Sequence, residues 1–201
     1  CITGYKMLLS FCDNNDIEYD ICGKIIVATE EKELIPLKTL FERGIENGLE
    51  GIKELSGPEL KETEPNVAGI KGILVPQTGI VDYKIVSAKI SDLIKVKGVE
   101  IKLSEEVLDL RSEGSRVEVI TNKESYSSSF LISCAGLFSD KTASMLNKKI
   151  DFRIIPFRGE YYKLKDSSRH LIKNLIYPVP DPEFPFLGVH FTRRIDGMTE
   201  A

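Results

Sequence analysis

The sequence predicts a mixed α/β protein. Apolar residues recur at helical spacing in three stretches, near 2–13, 37–45 and 82–97. A short Ile- and Val-rich run, Ile21 to Ala28, lies between the first two, and beyond residue 98 the apolar pattern changes to that of strands. The composition is that of a chain that can bury a core, with 201 residues, 42% of them hydrophobic and 29% charged.

The elements follow in order. Ile2, Tyr5, Leu8, Leu9 and Cys12 make one face of a first helix, which Asp13-Asn14-Asn15-Asp16 stops. Ile21 to Ala28 reads as a strand. In the second helix Pro36 suits the first turn, Leu37, Leu40, Phe41 and Ile45 form the apolar face, and Gly48 lies near the C-terminal end. Ser56-Gly57-Pro58-Glu59 has the form of a capping box opening a short helix that Pro65 ends. Asp82 can cap a third long helix through Lys97, with Ile85, Val86, Ile90, Leu93 and Ile94 as its buried stripe and Gly98 as its stop. Residues 99–103, 106–111, 116–121 and 126–133 read as strands, with turns at 112–115 and 122–125. A short helix over 139–147 and a strand-rich tail over 151–195 complete the pattern.

Charge and cysteine usage narrow the function classes. There are 27 Lys+Arg against 31 Asp+Glu, a net charge of −4, so the chain has no global attraction to nucleic acid or anionic lipid. No apolar run approaches the roughly 20 residues that span a bilayer. Cys1, Cys12, Cys22 and Cys134 form no C-x-x-C pair, and only His170 and His190 could join them, so no metal site is expected. They read as reduced thiols of a cytosolic protein. Lys95, Lys97, Lys148 and Lys149 read as solvated faces. The chain begins with Cys and stops in mid-phrase, which reads as a piece excised from a longer protein.

The sequence contains no G-x-G-x-x-G, P-loop, H-E-x-x-H or G-x-S-x-G. Three segments carry chemical possibilities. Leu131-Ile132-Ser133-Cys134-Ala135-Gly136 is an apolar run delivering small residues to a helix start, where a bulky ligand can approach the backbone. Tight strand–helix packing would use the same residues. Pro76-Gln77-Thr78-Gly79-Ile80-Val81-Asp82 places a glycine before a helix cap, and an ordinary turn would look alike. In the tail, which holds five of the nine prolines, Arg158, Tyr177 and His190 are polar groups among aromatics. A guanidinium can hold a carboxylate and an imidazole can exchange a proton near neutral pH. A core histidine and a surface arginine would fit the same pattern.

Five phrases together resemble the FAD-dependent L-2-hydroxyglutarate oxidase/dehydrogenase group of the D-amino-acid-oxidase-like (glycerol-3-phosphate dehydrogenase-like) flavoprotein superfamily. They are Gly23–Ala28, Thr78–Tyr83, Cys134–Asp140, Pro156–Glu160 and Tyr177–Thr192. The resemblance implies an incomplete FAD-binding domain with a β-meander (1–20, 67–149 and 196–201) and a discontinuous substrate-binding domain with a mostly antiparallel sheet (21–66 and 150–195). It implies FAD as cofactor of the whole protein, contacted by Val107, Ala135 and Gly136, and a small 2-hydroxy acid as substrate. Thr78, Gly79, Arg158, Tyr177 and Arg193 would bind substrate, and His190 is the chosen base. The same resemblance implies a cytoplasmic protein and leaves open peripheral association with the inner membrane. Lacking the glycine-rich turn, the 201 residues alone are expected to hold no FAD, to be inactive and to expose apolar surface that favours self-association. Two other readings stand beside this one: a superfamily oxidoreductase acting on an amine, amino acid or glycerol 3-phosphate, and a non-catalytic binding module that retains the fold.

Overall fold

The computed structural model describes every residue except Cys1, Lys148, Phe184, Pro185 and Leu187. The readings of Cys1 and Lys148, and three positions of the Tyr177–Thr192 phrase, therefore lie outside the described residues. The chain forms two compact units, one made of 1–93 with 161–201 and the other of 94–160.

In the first unit the helices are α1 (Ile2–Asn14), α2 (Leu34–Glu46), α3 (Gly57–Thr63) and most of α4 (Tyr83–Val96). Its centre is a four-stranded sheet of β3 (Lys53–Ser56), β4 (Lys71–Val75), β2 (Lys24–Ala28) and β9 (Leu175–Pro178), in that order. β2 runs antiparallel to β4 and parallel to β9. Alternation along the strands divides the core. Ile25, Val27 and Ile176 face one way and pack with Leu55 and Leu60, whereas Ala28 and Val179 pack with Leu37, Ile73 and Val75. Two short pairs flank this sheet: β1 (Tyr19–Asp20) with β5 (Ile80–Val81), and β10 (Thr192–Arg193) with β11 (Thr199–Glu200).

Local signals explain the helix ends. Ser56 and Glu59 close the expected capping box, with Glu59 accepting the Ser56 backbone N–H at 2.8 Å. Asp82 accepts the Lys84 N–H at 2.8 Å ahead of α4. A 3-10 turn at Glu31–Glu33 leads into α2, which puts Pro36 in the first turn as expected.

The second unit contains the meander, with β6 (Val107–Glu113), β7 (Arg116–Thr121) and β8 (Ser125–Ser128) in sequential antiparallel order. Gly114, at φ +60°, makes the first turn. α5 (Ser139–Leu146) follows a 3-10 turn over Gly136–Phe138.

The architecture is the expected mixed α/β class with antiparallel sheets, but several element readings need correction. Residues 99–103 form no strand, the fourth meander strand stops at Ser128 rather than 133, and the tail is mostly irregular. Phe130 and Ile132 are exposed, and no strand among the described residues pairs with this segment. Of the α4 stripe only Val86 is buried, and Ile85, Ile90 and Leu93 are exposed. Ile45 of α2 is exposed as well. Helical period reveals an apolar face but cannot say whether the same chain covers it.

Candidate functional site

The first unit contains a cavity of about 520 Å³ bordered by α1, the β1–β5 pair, Leu175 of β9 and the β10–β11 pair. Gly79 and Arg193, two of the sequence candidates, line it. Gly79 is glycine for a packing reason. An added Cβ would come within 2.8 Å of the Asp20 carbonyl oxygen and 2.7 Å of the Ile21 side chain. The absence of a side chain thus lets the segment entering β5 lie close against the end of β1 at the cavity wall. Thr78 stands beside it, and its carbonyl accepts the Gly23 N–H at 2.8 Å.

Charges on this wall are largely matched. Arg193 pairs with Asp20 and donates to the Lys173 carbonyl at 3.2 Å. Arg194 pairs with Glu200 at 3.1 Å, and that bond, helped by Asp196, raises its pKa. Cys22 is half-buried, and burial pushes its thiol pKa up. Among the described residues no group of three His, Cys, Asp or Glu side chains could hold a metal.

Tyr177 and His190 come together through strand register. Ile176 and Phe191 exchange both backbone hydrogen bonds, at 3.0 and 2.8 Å. Tyr177 and His190 occupy the next positions of that antiparallel pairing and so share a sheet face. Their rings stack with centroids 4.9 Å apart at 20°, and Tyr161 meets the imidazole edge-on at 6.4 Å. His190 Nδ1 lies 3.0 Å from the Gly188 carbonyl oxygen. A carbonyl can only accept, so this contact favours, for the neutral ring, the tautomer with the proton on Nδ1 and the lone pair on Nε2. A half-buried imidazole held in that tautomer can act as a base.

Two groups that sequence reasoning missed complete this region. Lys24 opens β2, and its ammonium lies 5.4 Å from the centre of the Tyr177 ring. Burial lowers its pKa. The available signal was a lone lysine at the head of an otherwise apolar strand. Glu64 is fully buried just after α3. One carboxylate oxygen accepts the backbone N–H groups of Lys173 (2.8 Å) and Asn174, and the Asn174 side chain donates to the Cys22 carbonyl. The turn leading into β9 is therefore fixed from two sides.

The remaining candidates belong to the second unit. Arg158 is largely exposed and pairs with Glu160 at 3.2 Å. Val107 begins β6 and is exposed. Ala135 precedes the 3-10 turn that Gly136 opens. Gly136 has φ +56°, and a Cβ built there would meet nothing within 4 Å. Open space beside a backbone that carries no side chain suits a planar cofactor approaching at van der Waals distance.

A family model described as FAD dependent oxidoreductase matches residues 1–199. The chain is 48% identical over 202 residues to an L-2-hydroxyglutarate dehydrogenase of Indibacter alkaliphilus, covering 100% of this chain and 51% of that protein. It is 43% identical over 198 residues to the protein of the same name from Escherichia coli K12, covering 98% and 47%. The chain thus spans about half the length of the curated relatives it matches. Among solved structures, L-alpha-glycerophosphate oxidase from Mycoplasma pneumoniae with FAD bound superimposes with a TM-score of 0.76 at 25% identity, over 89% of this chain and 48% of that one. L-proline dehydrogenase from P. horikoshii superimposes at 0.78 with 16% identity, over 98% and 52%, a likeness of fold alone. With the small-residue turn at 135–136 and a match that runs from residue 1 to 199, the chain belongs to the FAD-dependent oxidoreductase family.

Proposed function

We propose that the whole protein oxidises a 2-hydroxy acid, L-2-hydroxyglutarate, to the 2-oxo acid with FAD as cofactor. The observation that carries this reading is identity of 43–48% along essentially the whole chain to bacterial proteins named L-2-hydroxyglutarate dehydrogenase. Val107, through its backbone, and Ala135 and Gly136 would hold the FAD. When bound, the flavin supplies the hydride acceptor. Residues 21–66 and 150–195 would supply the substrate domain.

The chain's own residues account for substrate handling. His190, with its proton on Nδ1, offers Nε2 to take the hydroxyl proton as C2 is oxidised. Tyr177, stacked on it, fixes the plane of the imidazole. Arg193 holds a substrate carboxylate, aimed by Asp20 and the Lys173 carbonyl. Thr78 and Gly79 shape the wall beside it. The test is an assay of the whole protein with L-2-hydroxyglutarate, glycerol 3-phosphate and amino acids. Turnover of L-2-hydroxyglutarate, with flavin reduction, is expected. Exclusive turnover of an amine or of glycerol 3-phosphate would overturn the reading.

A further inference from the structure

We infer that Lys24 binds the substrate carboxylate remote from the hydroxyl-bearing carbon, making it the residue that selects a dicarboxylate over a monocarboxylate. The inference rests on the 2-hydroxy acid reading above and names the recognition chemistry of that site.

Sheet register carries the argument. β9 is flanked on one side by β2 and on the other by the segment that bridges at Phe191. Lys24 is the register partner of Leu175, which lines the cavity, and Ile26 is the partner of Tyr177. Side chains in register share a face, and the position two residues along a strand returns to it. Lys24, Tyr177 and His190 therefore stand on one face of three neighbouring strands. The ammonium and the imidazole both contact the Tyr177 ring. The outer two strands are separated by two strand spacings, about 9.5 Å between backbones, and both side chains reach inward from them. The Tyr177 ring lies between them, and a five-carbon acid laid along that ring would set its hydroxyl carbon at His190 and its far end at Lys24.

Charge bookkeeping singles out the same residue. Arg193 and Arg194 are each matched by an acidic side chain. Among the described residues Lys24 has no carboxylate partner, and its ammonium lies over the Tyr177 ring. A half-buried cation without an anion is costly unless a ligand supplies one. An aromatic ring beneath it keeps the ammonium in place without neutralising it.

The experiment compares wild type, Lys24→Met and Lys24→Arg of the whole protein. It measures kcat/KM for L-2-hydroxyglutarate and L-2-hydroxyvalerate, and the Kd of glutarate by calorimetry. Methionine matches the lysine stem and avoids a cavity, and thermal unfolding verifies that each variant is folded. Lys24→Met is expected to lower kcat/KM for the dicarboxylate and weaken glutarate binding by at least about 10-fold, the scale of one charge-assisted hydrogen bond. Hydroxyvalerate turnover should stay within about 3-fold, and Lys24→Arg should restore most glutarate affinity. Unchanged glutarate affinity in a folded Lys24→Met protein, or equal loss for both acids, would overturn the inference and leave the 2-hydroxy acid reading standing. Wild-type protein that ignores L-2-hydroxyglutarate while oxidising another class would instead overturn that reading.

Discussion

His190 Nδ1 lies within hydrogen-bond distance of the Gly188 carbonyl, which in the neutral ring directs the lone pair of Nε2 away from that contact. In the proposed reaction, His190→Gln keeps a polar side chain of similar reach but removes the base. Its expected effect is a fall in kcat of roughly 10²–10⁴-fold with a much smaller change in KM, read by steady-state kinetics on folded, flavin-loaded enzyme. Equal kcat in the variant would remove His190 from the chemistry. Tyr177 and His190 were legible in the sequence because each is a polar group in an aromatic, proline-rich setting. Lys24 and Glu64 were not. Lys24 meets Tyr177 only because β2 and β9 pair across more than a hundred residues of sequence, and Glu64 meets its partners at 173 and 174 in the same way. Local pattern carries helix caps and strand alternation, but it carries no information about such distant pairs.

At the scale of elements, the sequence revealed most helix starts, the strand within Ile21–Ala28 and the first two meander strands, because caps and periodicity are written within a few residues, but it missed β3 and β4. It misjudged the elements whose existence depends on a neighbour. A strand is stable only where another strand takes up its backbone groups, which is why the meander stops at Ser128 and residues 99–103 stay irregular. The entry to β9 shows how one side chain can secure an element that carries candidate site residues. Glu64 accepts two backbone N–H groups from a position without solvent access. Glu64→Ala leaves both donors buried or forces the turn to open, a cost of about 2–4 kcal/mol, whereas Glu64→Gln keeps an acceptor and costs less. Urea unfolding of the two variants measures the difference. If alanine and glutamine cost the same, hydrogen bonding to the 173–174 turn is not what Glu64 contributes.

For the molecule as a whole, the proposed flavin contact at 135–136 is small-residue backbone, and the 201 residues contain no glycine-rich turn to hold a pyrophosphate. In nucleotide-binding α/β folds that turn brings backbone N–H groups and a helix N-terminus to the phosphates, and much of the cofactor's anchorage resides there. The 201-residue chain expressed alone should therefore be colourless, with no flavin released on denaturation, while the whole protein should be yellow. The same chain exposes Phe130, Ile132, Leu137, Phe138 and Phe157 within its 94–160 unit. Apolar groups in that number on one small unit favour association in water over continued exposure. Sedimentation of the chain over a range of concentrations should show a rising average mass, and Phe130→Ser with Ile132→Ser should lower it. A monomer at every concentration would mean that these side chains find cover within a single molecule. Stoichiometric flavin in the isolated chain would mean that the meander and the 135–136 turn hold the cofactor without a phosphate cradle.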